Sequence, residues 1–468
     1  MTDVVSLEVN MISEAELYSL SYYDAPKMIT EVPGPKVRKL LEESAKYEPL
    51  TRGAGAFPLI MEEGRGSTVK DADGNLFIDM AAGVAVNAVG RNHPKVLKAI
   101  QAQSSVIMHT TDATNVKRIE LARRISEIMP EGLQGNCRTA FMQSGSGAVE
   151  TAIKFARHYT GRSQIIAFHG AYHGVWMGSG ALTTGYGYRH GWGPMMPGVI
   201  HLPYGYCYRC AFNMTYPACD MQCAKYLDHV LNTPYTAADD VAAIIVESQQ
   251  GEGGYVVPPP EFFQIIKQAA DRYGALYIDD EVQSGAGRTG RMWSIEYTGV
   301  VPDMLTWGKG MGGDIPMAGV TFNSGINQSL VEGSQPGTFA GNALACSVCM
   351  TNIDLITDED MDLLGRAVIL GNEIRGVFEE AAKTVKAIGD VRGRGLMIGV
   401  ELVADQNTRE PLSQDKCGEI TMKLLNAGII VTPCGRYGNV FRFMPPLTIP
   451  RDYAIKASEM MLDILRNY

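Results

Sequence analysis

Three groups of residues in this chain are of types that could do chemistry together. The first is in "YIDDEVQSGAGRTG", Tyr277 to Gly290, where an apolar run ends in Asp279, Asp280 and Glu281 and gives way to glycine-rich chain. Acids are seldom buried without a partner, so carboxylates at the end of a buried strand imply a cation waiting for one of them. Side chains alternate along a strand, which puts Asp280 and Val282 on one face and Asp279 and Glu281 on the other. An acid and a branched apolar residue on one face suit a flat heteroaromatic cation: the carboxylate pairs with a ring nitrogen and Val282 packs on the ring.

The second is Lys309, in "TWGKGMGGDIPMAG", which follows an apolar run and has no acid beside it in sequence. Burial lowers a lysine's pKa and frees its amine as a nucleophile, as Schiff-base lysines require. The third is Ser144-Gly145-Ser146-Gly147, in "FMQSGSGAVETAIKFAR", between a predicted strand and a predicted helix. Small residues let backbone N–H groups approach an anion, and a helix N-terminus adds positive potential. The spacing is not G-x-G-x-x-G, and the lysine of a P-loop is missing, so the cradle fits a single phosphate better than a dinucleotide or a nucleoside triphosphate. A phosphate cradle, an isolated lysine and Asp-x-Val together describe a site for pyridoxal 5′-phosphate, with Asp280 keeping the ring nitrogen protonated.

The elements that must carry these residues form an alternating pattern. Strand-like runs "RTAFMQS", "QIIAFHG", "AAIIVES", "ALYIDDEV" and "DMLTWGK" are separated in places by helical ones such as "GAVETAIKFARHYTG" and "PEFFQIIKQAADRYG". That alternation predicts an α/β fold with a mostly parallel sheet covered by helices on both faces. In such sheets chemistry collects at the carboxyl ends of the strands, where all five runs turn polar or glycine-rich. The pattern divides the chain into an N-terminal segment over 1–78, a large domain over 79–346 and a smaller C-terminal α+β domain over 347–468. The N-terminal segment is expected to pack with the small domain, and it contains a helical "GPKVRKLLEESAKY" and two strands around the turn of "STVKDADGNLFIDMA".

The bulk properties bound the function. The 468 residues carry a net charge of −10, which argues against a nucleic-acid partner. No apolar run is long enough to span a bilayer, and the first twenty residues lack the pattern of a secretory signal. Nine cysteines in a long chain are not a disulfide scaffold, which points to a reducing, cytoplasmic setting. Four of them, Cys207, Cys210, Cys219 and Cys223, fall in an insert over about 204–226. Reduced, packed thiols are the preferred reading there over a four-thiolate zinc site or a disulfide clip. No metal is expected at the catalytic site.

The sequence resembles the class III pyridoxal-phosphate aminotransferases, the family of ornithine, 4-aminobutyrate and omega-amine transaminases. "DEVQSGAGRTG" followed by "TWGKGMGG" is close to that family's signature. "SGSGAVETAIKFAR", "FHGAYHG", "IIVESQQGEGG", "GTFAGNALAC", "GDVRGRGLMIGVEL" and "NVFRFMPPLTI" follow the family order, so the match runs from about Gly66 to Ile449. The resemblance implies the fold-type I architecture of these enzymes and makes Lys309 the Schiff-base lysine and Asp280 the partner of the pyridine nitrogen. It places Val282 and Tyr172 on opposite ring faces, Gln283 near the phenolic oxygen, and Gly145 and Ser146 at the phosphate. His173 and Glu247 would line the cofactor site. Thr338 would reach the phosphate from a neighbouring subunit, implying a homodimer, or pairs of dimers. Arg442 would clamp the carboxylate of an amino or keto acid, with Glu252 holding that arginine aside when an amine without one is bound.

Some residues depart from the family pattern. Where 4-aminobutyrate and ornithine-type members often have "HGRT", this chain has "HGVW", with Val175 and Trp176. An arginine for a distal carboxylate is thus replaced by apolar surface, and the expected donor has an uncharged or apolar tail, with Trp176 among its contacts. Ser248 stands in place of a usual proline, and Asp279 where an apolar residue is commoner. The expected reaction moves an amino group from an amine or amino acid to a keto acid such as pyruvate or 2-oxoglutarate, by a ping-pong route through Lys309. A racemase or epimerase on the same scaffold is the alternative, since it would share Lys309 and Asp280. A nicotinamide dehydrogenase is disfavoured because no dinucleotide fingerprint follows any strand.

Overall fold

A computed structural model describes residues 12–50, 57–111 and 113–468. Parts of the expected N-terminal segment, 1–11 and 51–56, lie outside the described residues, as does much of the stretch read for a secretory signal.

The centre is a seven-stranded sheet. In chain order its strands are β1 (Cys137–Met142), β2 (Gln164–Phe168), β3 (Val199–Leu202), β4 (Val241–Val246), β5 (Leu276–Asp280), β6 (Met304–Trp307) and β7 (Ala318–Asn323). They lie side by side in the order β1-β7-β6-β5-β4-β2-β3. β7 runs antiparallel to both its neighbours, and the remaining pairings are parallel. The five runs singled out in the sequence form β1, β2, β4, β5 and β6. The other two strands were not anticipated: β3 is a four-residue edge strand with only Leu202 fully buried, and β7 is the reversed strand.

β4 is buried along its whole length, as is β5, which is why both read as continuous apolar runs with no alternation. The helix Gly145–Thr160 buries Val149, Ala152, Ile153, Phe155 and Ala156 in one of the two clusters that flank the sheet. It ends at Gly161, whose left-handed φ of 68° closes the last turn, as a glycine permits. Pro260–Tyr273 covers the other side with Phe262, Phe263 and Ile266.

A second sheet joins the two ends of the chain. Met61–Arg65, Thr68–Asp71 and Leu76–Asp79 form an antiparallel meander, and Ile429–Ile430 adds to it in parallel, Ile429 opposite Ile78. A third sheet contains Ile388–Arg394, Met397–Asp405, Thr432–Cys434 and Val440–Phe443, which carries Arg442 opposite Gly399. The helix Ala343–Ile356 runs across the expected 346/347 division and is followed by Leu363–Ala381.

The cysteine-rich insert is not a free loop. Tyr206 and Arg209 both reach the buried carboxylate of Glu401, Arg209 Nε donating at 2.6 Å, and Arg392 pairs with the same carboxylate at 2.7 Å. All nine cysteines are free thiols. Among the described residues no group of three or more His, Cys, Asp or Glu side chains could hold a metal ion.

Candidate active site

The carboxyl ends of β1, β2, β4, β5 and β6 surround one cavity of about 160 Å³. After β1 the chain turns through Ser144, whose hydroxyl caps the helix Gly145–Thr160 by accepting from Gly147 N at 3.1 Å. Gly145 has no room for a side chain, since a Cβ there would stand 2.7 Å from Val282 Cγ1. The backbone at this helix N-terminus is therefore bare toward the cavity, as a phosphate cradle requires.

After β2 come Tyr172 and His173, and after β4 comes Glu247, whose carboxylate fastens the two loops together. Its Oε1 accepts from Tyr172 N at 3.0 Å and its Oε2 from Gly251 N at 2.8 Å. Burial pushes the Glu247 carboxyl up to about 7, against the opposing pull of His173. After β5, Asp280 is held by three donors: His173 Nδ1 at 2.6 Å, Thr306 Oγ1 at 3.0 Å and Val282 N at 3.1 Å. Burial alone would disfavour a charged His173, but the hydrogen bond and charge of Asp280, with Glu247 beyond, outweigh it and raise the imidazole pKa.

After β6, Lys309 sits in a tight turn with φ of 41°, an unusual backbone for a non-glycine residue and one that its surroundings must impose. Gly310 next to it is pinned, because a Cβ there would lie 3.0 Å from Ala286 Cβ. Among the described residues the Lys309 amine makes no hydrogen bond or ion pair. Enclosure by protein lowers its pKa to about 8, with Asp280 opposing the shift and Arg442 adding to it. The amine is thus unpaired, and it gives up its proton far more readily than an ordinary lysine.

The cavity brings together Gly145, Ser146, Tyr172, His173, Glu247, Glu252, Asp280, Val282, Gln283 and Lys309. Three expected residues lie elsewhere. Arg442 is buried behind Glu252, Nη1 donating to Oε2 at 2.8 Å, and does not itself line the cavity. Thr338 is exposed on a loop outside the cavity, its carbonyl 2.5 Å from His109 Nε2. Trp176 lines a neighbouring apolar cavity.

One residue was missed in the sequence. Tyr188 packs edge-on against Tyr172 with ring centroids 5.1 Å apart, and its hydroxyl donates to Glu252 Oε1 at 3.3 Å. It lies in a Tyr- and Gly-rich stretch, "TTGYGYRHGWG", whose pattern marks no one tyrosine over its neighbours.

The residues present fit pyridoxal 5′-phosphate. The cavity is lined by Tyr172, Val282, an unpaired amine, a fixed carboxylate and a bare helix N-terminus. Gln283 adds a buried Oε1 with no partner among the described residues, and such atoms are costly unless something supplies the missing bond.

Comparison with known proteins decides the family. The sequence pattern of "Aminotransferase class-III" matches residues 50–465. This chain belongs to the class III aminotransferases.

The chain is 35% identical over 443 residues to an alanine/serine racemase of Pyrococcus horikoshii, covering 93% of this chain and 92% of that protein. It is also 35% identical over 401 residues to a diaminobutyrate–2-oxoglutarate aminotransferase of Rhizobium meliloti, covering 84% and 85%. A crystal structure of an (S)-enantioselective omega-transaminase from Thermomicrobium roseum superposes with a TM-score of 0.83 at 29% identity, over 92% of this chain and 98% of that one. The fold is that of pyridoxal-phosphate-dependent transaminases, and this class III aminotransferase is an enzyme that uses pyridoxal 5′-phosphate to transfer amino groups. No described helix is long and apolar enough to cross a membrane.

Proposed function

We propose that this enzyme takes an amino group from an amine or amino acid with an uncharged tail and passes it to a keto acid, pyruvate or 2-oxoglutarate. The observation that carries the proposed residue roles is the shared cavity: Lys309 and Asp280 line it together with Tyr172 and Val282.

When bound, pyridoxal phosphate supplies the aldehyde that accepts nitrogen and the electron sink that acidifies the substrate C–H bond. The residues of the chain do the rest. Gly145 and Ser146 hold the phosphate through the helix N-terminus. Asp280, oriented by His173, Thr306 and Val282 N, would keep a proton on the ring nitrogen. Tyr172 and Val282 would pack on the ring, with Gln283 near its phenolic oxygen. Lys309 would hold the cofactor through its amine, and that amine, with its pKa lowered to about 8, would move the proton at the substrate carbon.

Arg442 and Glu252 serve two kinds of substrate at one place. With an amine bound, the 2.8 Å ion pair keeps the arginine's charge satisfied. With a keto acid, its carboxylate replaces Glu252 on the guanidinium and the glutamate turns aside. The exposed Thr338 loop fits a role in a partner's active site within a homodimer, and nine free thiols support a cytoplasmic setting.

The test is a single-turnover reaction. Purified holoenzyme is mixed with one enantiopure amino acid and no keto acid. Stoichiometric transfer of nitrogen to the cofactor with release of the carbonyl product is expected, and Lys309→Ala should abolish it. Loss of optical rotation without that stoichiometric transfer would identify a racemase in its place.

A further inference from the structure

The helix Gly145–Thr160 grips one loop at two points a turn apart. Ser146 and Glu150 stand four residues apart and so share a helix face. Ser146 Oγ accepts from Val175 N at 3.4 Å. One carboxylate oxygen of Glu150, Oε1, accepts from both Gly178 N at 3.0 Å and Ser179 N at 2.7 Å. Between these points the loop buries little of itself: Val175, Trp176 and Met177 are 49%, 52% and 59% exposed. Packing therefore contributes little to holding this loop, and the polar contacts to the helix hold it instead.

The loop is shaped to lie this close. A Cβ on Gly178 would stand 2.2 Å from Glu150 Oε2, and one on Gly174 would stand 2.5 Å from Ser146 Oγ. From Gly174 the contacts continue toward the far end of the cofactor cavity. Thr183 Oγ1 donates to Gly174 O at 2.7 Å and accepts from His173 N at 2.9 Å, and His173 holds Asp280. The Ser146 hydroxyl accepts from the loop, which leaves its hydrogen free to be donated to an anion at the helix N-terminus.

Resting on the placement of the cofactor phosphate at Gly145 and Ser146, we propose that Glu150 is a positioning residue for cofactor retention, clasping loop 174–179 to the cradle helix. With the clasp closed, the loop keeps the Ser146 hydroxyl and His173 in place before the cofactor arrives, so less ordering has to accompany binding. The charge of Glu150 is not what serves the phosphate, since a carboxylate in the second turn opposes the anion that the helix N-terminus attracts. What Glu150 supplies is one oxygen that two backbone donors share. The Arg157 guanidinium, further along the same helix, lies near enough to offset part of its charge.

The experiment titrates full-length apoprotein with pyridoxal 5′-phosphate, reads the dissociation constant from the absorbance of the bound cofactor, and then measures the single-turnover rate at saturating cofactor. Glu150→Leu should raise the dissociation constant about tenfold, the scale of one lost charge-assisted hydrogen bond, with a smaller change in the saturated rate. Glu150→Gln keeps an oxygen for both donors and should stay within about threefold of the unaltered protein. Gly178→Ala attacks the same contact from the loop side, so it should weaken binding too, yet add little in a chain that already carries Glu150→Ala. Should Glu150→Leu fail to fold, Glu150→Gln and Gly178→Ala decide the matter. Unchanged affinity in Gly178→Ala overturns the inference, as does a loss in Glu150→Gln equal to that in Glu150→Leu. Ser146→Ala is the reference: if it also leaves cofactor affinity unchanged, the placement of the phosphate fails, and not the clasp alone.

Discussion

Asp280 and Asp279 are consecutive residues at the end of the same strand, and both are almost wholly inaccessible to solvent. Asp280 faces the cofactor cavity, fixed by His173, Thr306 and Val282 N. Asp279 faces away, where its Oδ1 accepts from Ser248 Oγ at 2.6 Å. Burial, and then the neighbouring Glu281, push the Asp279 carboxyl well above its ordinary pKa, which favours its neutral form. Glu281 is occupied as well, accepting from Ser284 Oγ at 2.5 Å and Ile295 N at 2.7 Å. One face of the strand end thus turns an acid to the cavity, and the other holds acids as internal fasteners.

The comparison also accounts for two departures from the family pattern. Ser248 and Asp279 are hydrogen-bonded to each other, so the residue that replaces a proline and the residue that replaces an apolar one form a single unit. Neither makes sense alone: a buried hydroxyl and a buried carboxyl each need the other's atom.

The contrast between the faces can be tested first on Asp280. Asp280→Asn should cut the half-reaction rate by about a hundredfold or more, the scale of losing one preorganised electrostatic contact, whereas Asp279→Asn should leave it within about threefold. Stopped-flow absorbance of the bound cofactor measures both, and equal losses would erase the functional difference between the faces. Next comes the support of Asp280: His173→Phe removes its Nδ1 donor and should cost about tenfold, less than Asp280→Asn. On the opposite face the expected effect is on stability. Ser248→Ala should cost about 1–3 kcal/mol in denaturant unfolding, because it strands the Asp279 carboxyl. Ser248→Ala with Asp279→Leu should cost less than the sum of the two single changes, and strict additivity would show that the pair is not coupled.

The last prediction concerns pH. With the Lys309 pKa lowered to about 8, the nucleophilic free amine grows as pH rises toward that value and levels off above it. Capture of pyridoxal phosphate by apoprotein should therefore quicken about tenfold per unit below pH 8 and plateau above. A rate still climbing at pH 10 would mean that the amine is not enclosed as described.

Much of this was legible in the sequence because a parallel sheet places chemistry at strand ends, and strand ends can be read. Lys309, Asp280 and the glycine-serine turn each follow an apolar run, and the fold brings them to one cavity. β7 was not legible, because its "AGVTFN" follows glycine-rich chain and nothing local announces a reversed strand. Trp176 read as a neighbour of the substrate from its place after "YHG", but the backbone turns there and aims it into the adjoining hollow. Tyr188 was illegible for another reason. Its value comes from contacts with Tyr172 and Glu252, on two other loops, and no spacing along the chain encodes them.

The insert that contains four of the cysteines has a consequence for how this enzyme can be altered. Tyr206 and Arg209 meet Glu401, which pairs in the sheet with Val440, two residues from Arg442. Pruning those residues would strip partners from a carboxylate buried in the strand next to the one that carries Arg442. The excursion is fastened to the third sheet, and trimming it would loosen that strand's neighbour.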